Sequence, residues 1–215
     1  MGPRRIAEAL WFTGSVPRIR AESVAAHRAL METTLLDAFG ELMAERGYAE
    51  LSLAEVAARA GMARNTVYNY VGDKEALLMD FVARAVATFV AETREALADL
   101  PDPADQLAEL IRRQMHQFRA EPGAGSDSGI MDGAMLGPDA HVVLLERFAP
   151  LHELLAEIVR AGIAQGRFRE VSVDHAVTSA FAVIGAERLP VGSGRRDPDD
   201  AARDVADFVL HALGA

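Results

Sequence analysis

Residues 52–78 read SLAEVAARAGMARNTVYNYVGDKEALL, and this stretch decides the fold. Ser52 and Glu55 have the S-x-x-E spacing of a capping box, in which each side chain satisfies a free backbone N–H at a helix start. The pattern predicts a helix to about Ala60, a turn at Gly61, and a short helix from about Ala63 to Tyr70. Gly61 supplies the positive φ that a tight turn between helices requires. Ala57 is small enough to let the two helices approach, and Val56, Ala60, Met62 and Val67 fall where inward-facing side chains are needed. That is the layout of a helix–turn–helix. Its second helix offers Arg64, Asn65, Thr66, Tyr68 and Asn69 outward. Arginine and asparagine can read base edges, while threonine and tyrosine hydroxyls can bond phosphate. On spacing alone, an ordinary corner between two helices would read the same way.

The flanking sequence is helical in both directions. Met31, Leu35, Ala38, Phe39 and Leu42 recur at three- and four-residue spacing and predict a helix over about 24–46, ended by Gly47. Beyond Gly72, Asp73 can cap a long helix reaching about Leu100, with Leu77, Leu78, Phe81, Val82, Ala85 and Phe89 as its apolar stripe. Asp102-Pro103 and Asp197-Pro198 are helix-start signals, opening helices to about 119 and over 198–213. Residues 121–129 are rich in Gly, Ser and Pro and read as a loop. Further helices are expected near 130–136, 139–149, 150–166 and 173–188. Val171 and Val173 are too short a run to pair as a strand. The fold class is all-α.

Composition sets the limits. Of 215 residues, 50% are hydrophobic and 25% charged, enough to bury a core. The absence of cysteine excludes disulfides, iron–sulfur clusters, thiolate zinc sites and a cysteine nucleophile. No apolar run is long enough to span a membrane, and the N-terminus lacks the apolar region of a secretory signal, so a cytoplasmic protein with no membrane partner is expected. His116, His141, His152 and His175 have no metal-ligand spacing, and no Ser–His–Asp order, phosphate loop or carboxylate pair appears. No enzyme, metal or cofactor is expected.

The net charge of −10 is unevenly distributed. Residues 1–75 carry 9 Lys+Arg against 10 Asp+Glu, a net −1, and residues 76–215 carry 13 against 22, a net −9. The acidity therefore lies away from the helix–turn–helix. Within residues 1–25, read as an irregular N-terminal extension, Arg4, Arg5, Arg18 and Arg20 could enter a DNA minor groove, with Trp11 and Phe12 pinning the arm.

Residues 52–78 closely resemble the DNA-binding signature of the TetR family of bacterial regulators. The resemblance rests on the Ala-x-x-Ala-Gly core, Thr66-Val67-Tyr68, Tyr70, and Lys74-Glu75 before Leu77-Leu78. Ala38-Phe39 and Arg46-Gly47-Tyr48 extend it to about 28–78. Two positions depart from the family pattern: Val71 replaces the usual Phe, and Ala63 replaces a frequent Ser that would cap the recognition helix. The resemblance implies an N-terminal three-helix DNA-binding domain at 26–72 and a helical ligand-binding and dimerisation domain at 73–215. It implies phosphate contacts from Ser52, Thr66, Tyr68 and Lys74, and base reading by Arg64, Asn65 and Asn69. Tyr70 is expected as an anchor.

The implied function is a homodimeric repressor, released from a double-stranded DNA operator by a small lipophilic effector. The alternative is a ligand- or protein-sensing module of the same fold without its own operator. Met115, Phe118, Met131, Met135 and Phe148 are the pocket candidates. Ala176, Ala180, Val183, Ala202, Val205, Val209 and Leu213 are the candidates for the dimer interface.

Overall fold

The computed structural model describes the backbone of residues 18–120 and 138–215, and the side chains of these except 18–22, 120, 138, 139 and 141. The described residues form ten helices: α1 (Arg18–Arg46), α2 (Leu53–Arg59), α3 (Arg64–Val67), α4 (Lys74–Leu97), α5 (Pro103–Ala120), α6 (Pro138–Glu146), α7 (Ala149–Ala164), α8 (Val173–Ala186), α9 (Arg188–Gly192) and α10 (Pro198–Leu213). Among them there is no strand, and no helix is long and apolar enough to cross a membrane. The arm residues Arg4, Arg5, Trp11 and Phe12, the expected loop and helix over 121–136, and the candidates Met131 and Met135 lie outside the described residues.

Helix starts follow their side-chain signals. Ser52 caps α2 and Glu55 completes the capping box, Asp73 caps α4, and Ser172 caps α8. Asp197 caps α10 from both Asp199 N–H and Asp200 N–H, with Pro198 opening the helix. Each such cap satisfies donors that the first turn leaves free. Gly214 closes α10 at φ 76°, a left-handed conformation that glycine adopts without steric cost.

Two boundaries differ from expectation. The first helix begins at Arg18 rather than near residue 24. Regular α3 spans only Arg64–Val67; Tyr68–Tyr70 continue as tight turns, with Asn69 N–H bonded to Thr66 O and Tyr70 N–H to Val67 O.

The molecule has two apolar cores, and α4 belongs to both. Leu35, Phe39, Leu42, Val56, Val67, Leu77 and Leu78 form the first, around Phe39, which meets Phe81 edge-on at 5.4 Å. Val86, Phe89, Val90 and Leu97 carry α4 into the second, built on α5. The two cores therefore share α4. Leu144 of α6 is buried in the first core, and Phe148 packs against both. Arg94 of α4 makes a two-pronged ion pair with Glu157 of α7, at 2.7 and 2.9 Å.

The α10 stripe packs within the protomer. Ala202, Val205, Val209 and Leu213, expected at the dimer interface, are buried inside the protomer, as is Ala180 of α8. Ala176 and Val183 are half-buried at the edge of the same core. An apolar stripe takes the first complementary surface it meets, and α5 supplies that surface, packing closely along α10. Phe208, 61% exposed, points the other way. Val209→Asp is therefore expected to bury a charge within the fold, at a cost of several kcal/mol. Circular dichroism melting should show a large loss of stability; a folded, fully helical monomer would contradict this placement.

Candidate DNA-binding surface

The helix–turn–helix is assembled on the underside of α1. Arg59 of α2 donates to Glu41 and Glu45 of α1, the latter through both guanidinium nitrogens at 2.9 Å. Val56 and Ala57 are buried on α2, and Val67 and Val71 at α3 and its exit. Ala60 and Met62 are half-buried against the same core. Gly61 has φ +67°, and no atom would lie near an added Cβ, so the turn requires glycine for its backbone alone.

The outer surface of this unit carries the polar side chains of α3 and the turns after it. Arg64, Asn65, Tyr68 and Asn69 are exposed, and Thr66 is half-buried. None of these five side chains has a hydrogen-bond or ionic partner among the described residues. Tyr68 leaves 48% of its surface in solvent. Ala63 precedes α3 without a side-chain cap. Tyr70 is half-buried against the first core, and the Arg28 guanidinium lies 5.5 Å from its ring centre, which fits an anchor.

Ser52 and Lys74 occupy different situations from the rest of the set. The Ser52 hydroxyl donates to Glu55 Oε2 at 2.7 Å and accepts from Glu55 N–H at 3.3 Å. Those bonds, first the hydroxyl and then the Ser52 backbone N–H, hold the Glu55 carboxyl below its ordinary range, with Arg46 assisting. A depressed carboxylate contributes its stability above the unfolded value and loses it as pH falls through the folded one, so the box opens only in acid.

The Lys74 ammonium donates to Tyr48 O at 3.2 Å and Leu51 O at 3.0 Å, and lies 4.3 Å from the Tyr48 ring centre. The Tyr48 phenol is buried and pushed up to about 12 by that burial, then by the charges of Glu75 and Asp73. Sequence spacing places a lysine at the start of α4 but gives no sign that backbone carbonyls wait beside it.

The other candidates are scattered. Met115 and Phe118 are buried in the second core and Phe148 is half-buried between the cores. His116 bonds Asp199 at 2.8 Å, joining α5 to α10. His152 lies against Phe181 at 4.2 Å, and burial lowers its pKa. His175 lines a cleft on α8, and no group of three metal-ligating side chains exists among the described residues.

Ser52→Ala removes the cap and should cost about 1 kcal/mol of stability. Because the hydroxyl is committed to Glu55, the salt dependence of DNA binding is expected to stay unchanged. Thermal melts paired with binding titrations across a salt series measure both.

Residues 35–80 match the sequence model of a family described as "Bacterial regulatory proteins, tetR family". An uncharacterised HTH-type transcriptional regulator of Mycobacterium tuberculosis is 32% identical over 88 residues, covering 41% of this chain and 44% of that one. The chain thus spans less than half the length of that relative. The HTH-type transcriptional repressor KstR2 of Rhodococcus jostii is 26% identical over 195 residues, covering 85% of this chain and 91% of that one. The solved structure of RolR in complex with resorcinol superposes with a TM-score of 0.67 at 26% identity, covering 89% and 91% of the two chains. The helix–turn–helix and the first turns of α4 thus carry a similarity to the TetR family of bacterial regulatory proteins, and the all-helical remainder is similar to KstR2 and RolR.

Proposed function

We propose that this protein is a sequence-specific transcriptional repressor that binds its operator as a homodimer and leaves it when a small molecule binds. The observation that carries this reading is the set Arg64, Asn65, Tyr68 and Asn69, exposed and without internal partners among the described residues. These donors and acceptors stand on α3 and the tight turns that continue it, held from beneath by the buried Val67. Side chains in that state have hydrogen-bonding capacity to give to base edges and phosphates. The reading head comprises residues 26–72 together with the first turns of α4, whose Leu77 and Leu78 complete its core. Residues 73–215 otherwise serve ligand binding and dimerisation.

The dimer contact belongs on the outer faces of α8 and α10. Ser179, Ala182 and Ala186 of α8 are exposed and small, and Phe208 and Ala212 of α10 are exposed beside them. Between the two helices lies a cleft of 140 Å³, lined in part by Val171, Ala176, Val183, Phe208 and Leu213. A two-fold interface requires one surface to carry both a projection and its complement, and this face carries Phe208 next to an apolar cleft. Phe208→Glu should yield a helical, stable monomer by sedimentation, with operator affinity collapsing as the half-sites uncouple. A stable dimer in that variant would move the interface elsewhere.

The effector reading rests on the apolar interior around Met115, Phe118 and Phe148, with Met131 and Met135 as further candidates. RolR was solved with resorcinol, an uncharged aromatic diol. The net charge of −9 over residues 76–215 favours neutral or cationic lipophilic molecules over anions. An inducer must bind the non-DNA-binding conformation more tightly, so the measurement is loss of operator binding rather than thermal shift. Long-chain acyl-CoA compounds as the only active ones would overturn the electrostatic argument.

Footprinting of genomic DNA tests the central claim. A pseudo-palindrome is expected, with recognition helices roughly 34–36 Å apart in the bound dimer. Arg64→Ala should relax preference at one base position per half-site, at a cost of about 1–3 kcal/mol. No protected site anywhere in the genome would favour a sensing module without an operator.

A further inference from the structure

We infer that Gln114 is the polar recognition group of the effector site, its amide oxygen taking a hydrogen bond from an uncharged ligand that carries an O–H or N–H donor. The inference rests on the effector reading above and deepens it by naming what the molecule must offer. Gln114 lies in the middle of α5 and is only 8% exposed. Leu107, Leu110, Ile111 and Phe118 share its stripe at three- and four-residue spacing, and all are buried. The Gln114 Oε1 atom is buried without a hydrogen-bond partner among the described residues.

A buried amide oxygen left unpaired destabilises the fold, and a leucine or methionine at the same place would avoid that cost. Thr93, the other buried polar side chain among the described residues, accepts from Arg113 at 3.2 Å. Glu187 Oε2 is also unpaired, but that carboxylate is held through Oε1 by Arg196. A water bridging Gln114 to the protein would need about two to four polar partners. The side chains one turn to either side, Leu110 and Phe118, are hydrocarbon. The amide is therefore a polar group that the free protein leaves unused.

Its place on α5 turns it to the interior. His116 bonds Asp199 of α10 and Arg119 reaches Val191 O of α9, and Gln114 lies roughly 140–160° around the helix from both. Met115, next in sequence, and Phe118, one turn on, belong to the apolar interior already assigned to the effector. Sites for small molecules are apolar, with a few placed polar groups that fix the ligand's orientation. The unpaired atom is an acceptor, so the ligand supplies the donor. A charged ligand among these apolar side chains would lack a counter-charge, which selects the neutral members of the range that the domain's net charge favours.

Gln114→Met keeps the length of the side chain and removes the amide. Without ligand it should melt at the wild-type temperature or above; a clear fall would show the amide paired inside the fold and overturn the inference. Binding to the free protein is followed by calorimetry with uncharged probes matched in shape: naphthol against methoxynaphthalene, decanol against decyl methyl ether, and indole against N-methylindole. Wild type should bind the donor-bearing member of at least one pair about tenfold or more tighter than its partner. Gln114→Met should bind both members of that pair alike, at the level of the weaker one. The chain has four glutamines, so the side-chain amide signal missing from Gln114→Met identifies Gln114. In wild type that signal should shift when the preferred probe is added. No preference for a donor in wild type, a preference that survives Gln114→Met, or an unmoved Gln114 signal overturns the inference. Operator release is scored separately. A probe that discriminates through Gln114 yet leaves DNA binding intact refutes the inducer reading and leaves the site standing.

Discussion

The rest of the structure depends on α4 being one uninterrupted helix shared between two separate cores. Leu77, Leu78 and Met79 fill one core, and Val86, Phe89, Val90 and Leu97 fill the other. No Gly or Pro interrupts residues 74–97, so a displacement at one end cannot be absorbed by a break in the middle. Polar ties reinforce the packing along its length: Lys74 to the α1–α2 turn, Arg84 to Asp37 of α1 at 2.8 Å, and Arg94 to Glu157 of α7. Arg94 and Glu157 are both substantially exposed, so their pair adds orientation more than stability. Leu144 adds a second route between the parts, because a side chain of α6 completes the core beneath the reading helices.

Much of this architecture is legible in the sequence, and the legible parts share a cause. Helix starts at Ser52, Asp73, Ser172 and Asp197 are written in the side chains that satisfy orphan backbone donors, and those bonds are local. The outward set on α3 is legible for the same reason, since a short helix with Val67 buried fixes which neighbours face out. The five-residue α9 is not legible. It contains Pro190, and Val191 is buried in the second core where α9 packs on α5 and α8, a tertiary contact without a local signal.

The α10 stripe shows where periodicity stops being informative. Ala202, Val205, Val209 and Leu213 announce a buried face with a helical period, and that face is buried. Periodicity records that water is excluded, not which chain excludes it. Here α5, whose Leu107, Leu110, Ile111 and Met115 expose no surface, claims the stripe first. The surface left for another molecule is marked by the opposite signal, a large aromatic at Phe208 standing off the stripe among exposed polar and small residues. An apolar residue out of phase with its own helix is the better sign of a partner.

The same distinction between spent and available groups governs the reading head. Arg46 and Arg59 lie where α1 meets α2, and their guanidinium groups are held by Glu55 and by Glu41 and Glu45. Of the cations around α3, Arg64 is the one with no partner among the described residues. A unit whose charges nearly cancel can still hold nucleic acid, provided its intramolecular pairs fix the scaffold and a few polar groups remain uncommitted. Counting basic residues along the chain could not have found this, because a paired arginine and a free one look the same in sequence. What separates them is the geometry of α1, which brings Glu41 and Glu45 beneath Arg59 and leaves Arg64 facing outward.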